Sequence, residues 1–175
     1  MKESYHILFL QSAISAQKSK IFDAQKRLLK ELVPYYSQNR DNRMEIIVNA
    51  GTPLVLTDTE VERLSLRSSE SNLDRAARLA QSNFNSGTDL AKKLVALIDS
   101  TPSSKVVDIL TQMKNTGIEV TLIVFGEVMS SSEIEKLRET FKVYLVDDVD
   151  KVPGENGEIT VDVIDTIKGK IAFKI

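Results

Sequence analysis

The chain has 175 residues, 42% hydrophobic and 27% charged, with a formal net charge of −2 at pH 7. This length predicts one domain with a substantial core, and the charge gives no sign of a nucleic-acid-binding surface. The absence of cysteine excludes disulfides, thiolate nucleophiles and cysteine-based zinc sites.

The amino-terminal apolar run is interpreted as a strand rather than a signal peptide, because His6 and Gln11 interrupt it. Residues 5–10 (YHILFL) are apolar on both faces, as in the central strand of a parallel sheet. No apolar run reaches about 18 residues, so we expect no membrane-spanning helix and no membrane partner. The default location is cytoplasmic and nuclear.

The next elements alternate between helix and strand. Residues 18–36 place apolar side chains on one stripe of a long amphipathic helix. Strands are predicted over residues 44–48 and 54–56. The short turn between them, residues 49–53, predicts an antiparallel pair, because parallel strands need a longer crossover.

Two helices are predicted before the fourth strand. Residues 57–60 resemble a capping box ahead of a short helix at 61–64. Residues 73–84 place apolar side chains on one helical face. Residues 93–99 (KLVALID) form the fourth strand.

The stretch from residue 106 to residue 127 gives the clearest signal in the chain. Ser103 is a suitable N-cap for its helix, and Gly117 follows the helix with the conformational freedom that closes a C-terminus. Residues 118–125 (IEVTLIVF) then form a strand of the kind that is covered on both faces. Helix, glycine turn and buried strand make one half of a doubly wound α/β unit.

The last part of the chain is predicted less uniquely. A helix over residues 130–141 precedes a strand at 142–146. Residues 147–158 are interpreted as a solvated acidic loop rather than a calcium site. Residues 159–167 fit a helix or a strand, with helix favoured, and residues 170–175 (KIAFKI) alternate like a short strand.

The pattern therefore predicts an α/β fold: a doubly wound, mostly parallel six-stranded sheet flanked by helices, with one antiparallel edge strand, as a single domain over residues 1–175. Ligands of such sheets bind at the carboxyl ends of the strands, near the point where strand order reverses. This rule selects three loops, residues 11–15, 67–72 and 99–103. No dinucleotide or P-loop motif is present.

These loops carry no catalytic constellation. Ser12 and Ser15 have no neighbouring base, and the lone His6 is interpreted as a packing or surface residue. Asp99 could hold Mg²⁺ with help from Ser100, Ser15 and Asn72, but Asp and Ser are more typical here of turns and helix caps. We therefore expect no enzymatic activity, no catalytic residue and no cofactor.

Four stretches of the sequence resemble von Willebrand factor A domains, and most closely those of the ubiquitin-receptor subunits of the 26S proteasome regulatory particle. They are residues 7–15 (ILFLQSAIS), 22–33 with an F-x-A-Q opening, 44–56 (MEIIVNAGTPLVL) and 113–127 (MKNTGIEVTLIVFGE). The Phe-Gly-Glu ending is the most specific piece, and the similarity covers essentially the whole chain. The resemblance implies a non-catalytic wedge that helps hold the lid and base subcomplexes together in ubiquitin-dependent protein degradation.

The metal-binding motif of adhesive A domains is degenerate in this sequence. Those domains bind a divalent metal through D-x-S-x-S with a Thr and an Asp from two other loops, whereas this chain has Gln11-x-Ala13-x-Ser15. One carboxylate and one hydroxyl are missing, and Mg²⁺ requires nearly ideal oxygen geometry. We predict no functional metal site.

The resemblance implies lid and base subunits as partners. Gln11, Ser12, Ser15 and Asn72 are expected to be exposed at the strand ends and to bind partner proteins, although they also fit helix caps and the helix faces could serve as well. Gln11→Arg is expected to weaken assembly without unfolding the domain. The family's ubiquitin-interacting motifs would follow Ile175, so ubiquitin capture by that route is not expected.

Two other functions fit the sequence. An A domain could act as a scaffold in a transcription-repair or DNA-end-binding complex, without direct DNA contact, because no basic stripe is present. A metal-dependent adhesion-type module using Asp99, Ser15 and Asn72 is the third possibility.

Overall fold

The computed structural model describes residues 4–11, 19–49, 54–56, 73–85, 89–126, 129–146 and 148–152. The strands are β1 (Tyr5–Gln11), β2 (Arg43–Val48), β3 (Leu54–Leu56), β4 (Ala91–Ile98), β5 (Glu119–Phe125) and β6 (Lys142–Val146). The helices are α1 (Ser19–Ser37), α2 (Leu73–Phe84), α3 (Ser104–Asn115) and α4 (Ser131–Arg138), with a 3₁₀ turn at Val149–Lys151. The predicted elements at residues 61–64, 159–167 and 170–175 lie outside the described residues.

The described strands form one sheet in the order β3-β2-β1-β4-β5-β6. Five strands, β2, β1, β4, β5 and β6, are parallel, and the short β3 runs antiparallel to β2 at the edge. The predicted α/β architecture with one antiparallel edge strand is therefore confirmed for these residues. Strand order reverses beside β1, so β1 lies at the switch point of the sheet.

The core has two layers because β1 is buried on both faces. Ile7 and Phe9 pack toward α1, in a cluster that also contains Leu28 and Leu32 of that helix. Leu8 and its even-numbered neighbours pack toward α2, α3 and α4. Side chains alternate across a strand, so a continuous apolar run fills both layers at once.

Local signals set the helix ends. The Ser103 hydroxyl accepts a hydrogen bond from the backbone N–H of Val106, which confirms the predicted N-cap of α3. Gly117 has φ of +94°, the left-handed conformation that glycine adopts most readily after a helix. The prediction that α4 reaches Phe141 is wrong, because the helix ends at Arg138 and Phe141 is buried in the following turn.

The predicted acidic loop after β6 contains a structured turn. Arg27 of α1 donates from Nη2 to the Val149 carbonyl at 2.7 Å and from Nε to the Val152 carbonyl at 3.2 Å. These two bonds fix the 3₁₀ turn against α1.

Candidate functional site

The carboxyl edge, defined here as the carboxyl-terminal ends of β1, β2 and β4, carries three buried polar residues. They are Gln11 at the end of β1, Asn49 directly after β2 and Asp99 directly after β4. The backbone N–H of Asn49 donates to the Gln11 carbonyl at 2.8 Å. The edge where ligands of this architecture bind is therefore polar and closely packed.

The side chain of Gln11 points into the protein. Its Nε2 donates a hydrogen bond of 2.9 Å to Oε1 of Gln25, a fully buried residue of α1. Two neutral amides thus join the end of the central strand to the longest described helix. This bond pairs one buried amide N–H with one buried amide oxygen without introducing charge.

The expectation that Gln11 is exposed is wrong, because it is only 1% exposed. Strand β1 extends one residue beyond the predicted end at Leu10, so Gln11 continues the alternation of Ile7 and Phe9 toward α1. Extending the odd-numbered face of the strand by one residue would have identified this orientation from the sequence. Ser12, Ser15 and Asn72 lie outside the described residues, and their role in partner binding stays a prediction.

The described residues of the carboxyl edge do not fit a divalent cation site. Gln11 carries no charge, and its amide N–H is bonded to Gln25. Asp99 is the one carboxylate among the three buried polar residues of this edge. Across the part of the chain that the structure describes, no three His, Cys, Asp or Glu side chains form a group able to hold a metal.

A second polar region, at the amino-terminal ends of β1, β2 and β4, was not predicted. We call it the amino edge. His6 is fully buried there, with Nε2 3.5 Å from Oε2 of Glu45 and its ring against Phe84 at 4.9 Å between centroids. Burial lowers the pKa of His6, and the Glu45 carboxylate opposes that effect.

Glu45 is the centre of this cluster. It accepts hydrogen bonds from Arg43 at 2.8 and 3.1 Å and from Nδ2 of Asn83 at 3.1 Å. These contacts tie β2 to the end of α2. His6 was interpreted as a packing or surface residue, and its complete burial shows that it is a packing residue.

An ion pair lies on the opposite face of the amino edge. Nζ of Lys93 is 2.6 Å from Oε2 of Glu119 and 5.0 Å from the ring centroid of Tyr5. Lys93 and Glu119 are register partners in β4 and β5, so the pair follows from the strand alignment. The pair could not be predicted from the sequence, because the alignment of β4 with β5 was not known.

None of the helices in the described ranges combines the length and apolar character required to cross a membrane.

The sequence matches no protein-family model and no curated protein. Proximal thread matrix protein 1 of the mussel byssus superposes with a TM-score of 0.73 at 14% identity, over 94% of this chain and 46% of that one. A structure of that protein with a zinc-occupied MIDAS motif gives a TM-score of 0.71 at 12% identity with the same coverage.

Two further structures share the fold. A von Willebrand factor type A structure from Catenulispora acidiphila gives a TM-score of 0.67 at 14% identity, over 91% of this chain and 42% of that one. The N-terminal domain of TFIIH p34 gives 0.53 at 10% identity, over 83% and 90%. This chain spans less than half of the mussel and Catenulispora chains. By structural similarity, the protein has a von Willebrand factor A-like fold.

Proposed function

We propose that this protein is a non-catalytic protein-binding module. The hydrogen bond between Gln11 and Gln25 carries the proposal, because it lies at the strand ends where this architecture normally receives a ligand. The buried amides offer neither a nucleophile nor a set of metal ligands. Recognition then depends on the shape and charge of the outer surfaces, as it does in protein–protein interfaces.

The narrower proposal is a structural subunit of the 26S proteasome regulatory particle, with lid and base subunits as partners. Its support is the resemblance carried by the four stretches described above, including Phe-Gly-Glu at residues 125–127. It includes a cytoplasmic and nuclear location and no nucleic-acid partner. Ser12, Ser15 and Asn72 are the proposed loop contacts.

Affinity purification from the native cells, followed by quantitative mass spectrometry, tests both levels. We expect a reproducible, stoichiometric set of partner proteins that resists EDTA, and lid and base subunits within it. A stable complex without proteasome subunits would refute the narrower proposal alone. A chain that purifies by itself, or with turnover of a substrate, would refute the broader one.

Similarity to two solved structures favours two alternative functions, a transcription-repair scaffold and a metal-dependent module. The same purification distinguishes them. The TFIIH p34 domain shares the fold, and subunits of a transcription-repair complex in the purified set would support that alternative. The mussel protein holds zinc at its MIDAS motif, and Asp99 remains at the carboxyl edge of this chain. Saturable binding of Zn²⁺ or Mg²⁺ in a calorimetric titration, with loss of partners in EDTA, would support a metal-dependent module.

A further inference from the structure

A groove of about 530 Å³ lies between α3 and α4. Its apolar lining includes Val107 of α3, Leu137 of α4 and Met129, which precedes α4. Val107 and Met129 are only half-buried, and Leu137 is the one buried residue of α4. The groove thus offers apolar surface to a side chain from outside.

The polar lining of the α3–α4 groove is acidic. Its charged members are Asp108, Glu133 and Glu139 against a single cation, Lys136. Glu133 is engaged in the capping box of α4, where its carboxylate accepts from the backbone N–H of Ser130 at 2.8 Å. Asp108 and Glu139 are exposed and form no ion pair with any other described residue, so their charges are available to a partner.

A second cavity nearby has a volume of about 510 Å³ and a different charged lining. Its lining carries Lys114, Arg138 and Lys142 as well as Glu119 and Glu139. Three of its charges are already used within the protein. Lys114 donates to the Thr140 carbonyl, Glu119 pairs with Lys93 and Arg138 pairs with Glu135. The α3–α4 groove therefore combines accessible apolar surface with a lining in which three carboxylates face one cation, whereas cations outnumber carboxylates in the lining of the second cavity.

We propose that the α3–α4 groove binds a basic, amphipathic helical segment of a partner protein. Apolar side chains spaced by three and four residues along the segment meet Val107, Met129 and Leu137, and flanking Lys or Arg side chains meet Asp108 and Glu139. Opposite charges at the rim set the orientation and favour this partner over acidic segments. The proposal rests on the protein-binding function proposed above and adds the surface and the chemistry of the partner.

The test uses a displayed library of random 16-residue peptides selected on the full chain. We expect the enriched peptides to carry excess Lys and Arg around apolar residues at helical spacing. The leading synthetic peptide should bind at least about tenfold more weakly to the double variant Asp108→Lys, Glu139→Lys than to the wild type, because two attractive charges become repulsive. Amide NMR shifts should map its contact to α3 and α4.

The matched control is Asp23→Lys with Glu31→Lys, which makes the same charge change on exposed positions of α1, across the sheet. Circular dichroism melts verify that both double variants fold. Equal weakening by both variants, enrichment of peptides without excess basic residues, self-association through the groove or no enrichment would each overturn the proposal. Native partners that still co-purify with the groove variant would leave the protein-binding function intact and remove only this groove.

Discussion

The carboxyl edge and the amino edge of the sheet bury their polar side chains in different ways. At the carboxyl edge, Gln11 and Gln25 bind each other as neutral amides. At the amino edge, charged groups are paired, with Lys93 against Glu119 on one face. Asp99 is the one buried carboxylate of the carboxyl edge, whereas the amino edge holds several charged side chains that pair with one another.

We expect the largest loss of stability when a charge is introduced at the carboxyl edge. Gln11→Arg places a guanidinium, which does not lose its proton, where the native side chain is 1% exposed. We expect the free energy of unfolding to fall by about 3–5 kcal/mol, the cost of leaving a buried charge without a partner. Urea denaturation followed by circular dichroism measures it.

Gln38→Arg is the matched control, because Gln38 is an exposed glutamine in the turn after α1. Its effect should stay within about 0.5 kcal/mol, as for most surface substitutions. Equal stabilities for the two variants would show that Gln11 reaches solvent. The expectation that Gln11→Arg weakens assembly without unfolding the domain would then stand again.

A double-mutant cycle should measure how strongly the two amides of the carboxyl edge depend on each other. Gln11→Leu or Gln25→Leu alone leaves the opposite amide with a lost partner in the core, which costs about 1–3 kcal/mol. The double variant should lose less than the sum, because removing both partners leaves fewer polar groups to satisfy. Additive losses in urea denaturation would show that the two amides act independently.

At the amino edge, removing the Glu119 carboxylate should lower the free energy of unfolding by a smaller amount. Glu119→Gln leaves Lys93, whose side chain is 9% exposed, without its paired charge. Because Glu119 itself is 44% exposed, we discount the cost of breaking a buried pair and expect about 1–2 kcal/mol. The double variant with Lys93→Met should recover part of this loss.

Glu135→Gln supplies the comparison for that experiment. Glu135 is 73% exposed and lies 3.5 Å from Arg138 in the same helix, so its loss should cost no more than about 0.5 kcal/mol. A loss from Glu119→Gln no larger than this would mean that water, rather than the paired charge, solvates Lys93.

The sequence predicted the elements far better than the contacts at either edge. Residues 118–125 were assigned to a strand by their apolar run, and β5 (Glu119–Phe125) agrees within one residue. Periodicity reports which face of an element is buried, but it does not identify the partner on another element. Gln25 is 14 residues from Gln11 in the chain, and Glu45 meets His6 only through the register of β1 and β2.

The smallest expected effect is the pH dependence of the amino edge. Burial lowers the pKa of His6 below its ordinary value of 6.5; the Glu45 carboxylate opposes this, and the charges of Arg43 and Lys92 add to it. The unfolded chain therefore takes up a proton near pH 6.5 while folded His6 stays neutral. The free energy of unfolding should fall as the pH drops from about 6.5 to the folded-state pKa, and His6 should add no further slope below that value.

His6 is the one histidine in the chain, so its imidazole protons give an NMR titration that needs no assignment. We expect a midpoint below 6.5 and, in His6→Leu, a flatter dependence of stability on pH across that window. Each tenfold reduction in proton affinity corresponds to about 1.4 kcal/mol of this dependence. A midpoint at or above 6.5 would mean that the Glu45 carboxylate outweighs burial, and the amino edge would then hold an imidazolium as a third paired cation beside Arg43 and Lys93.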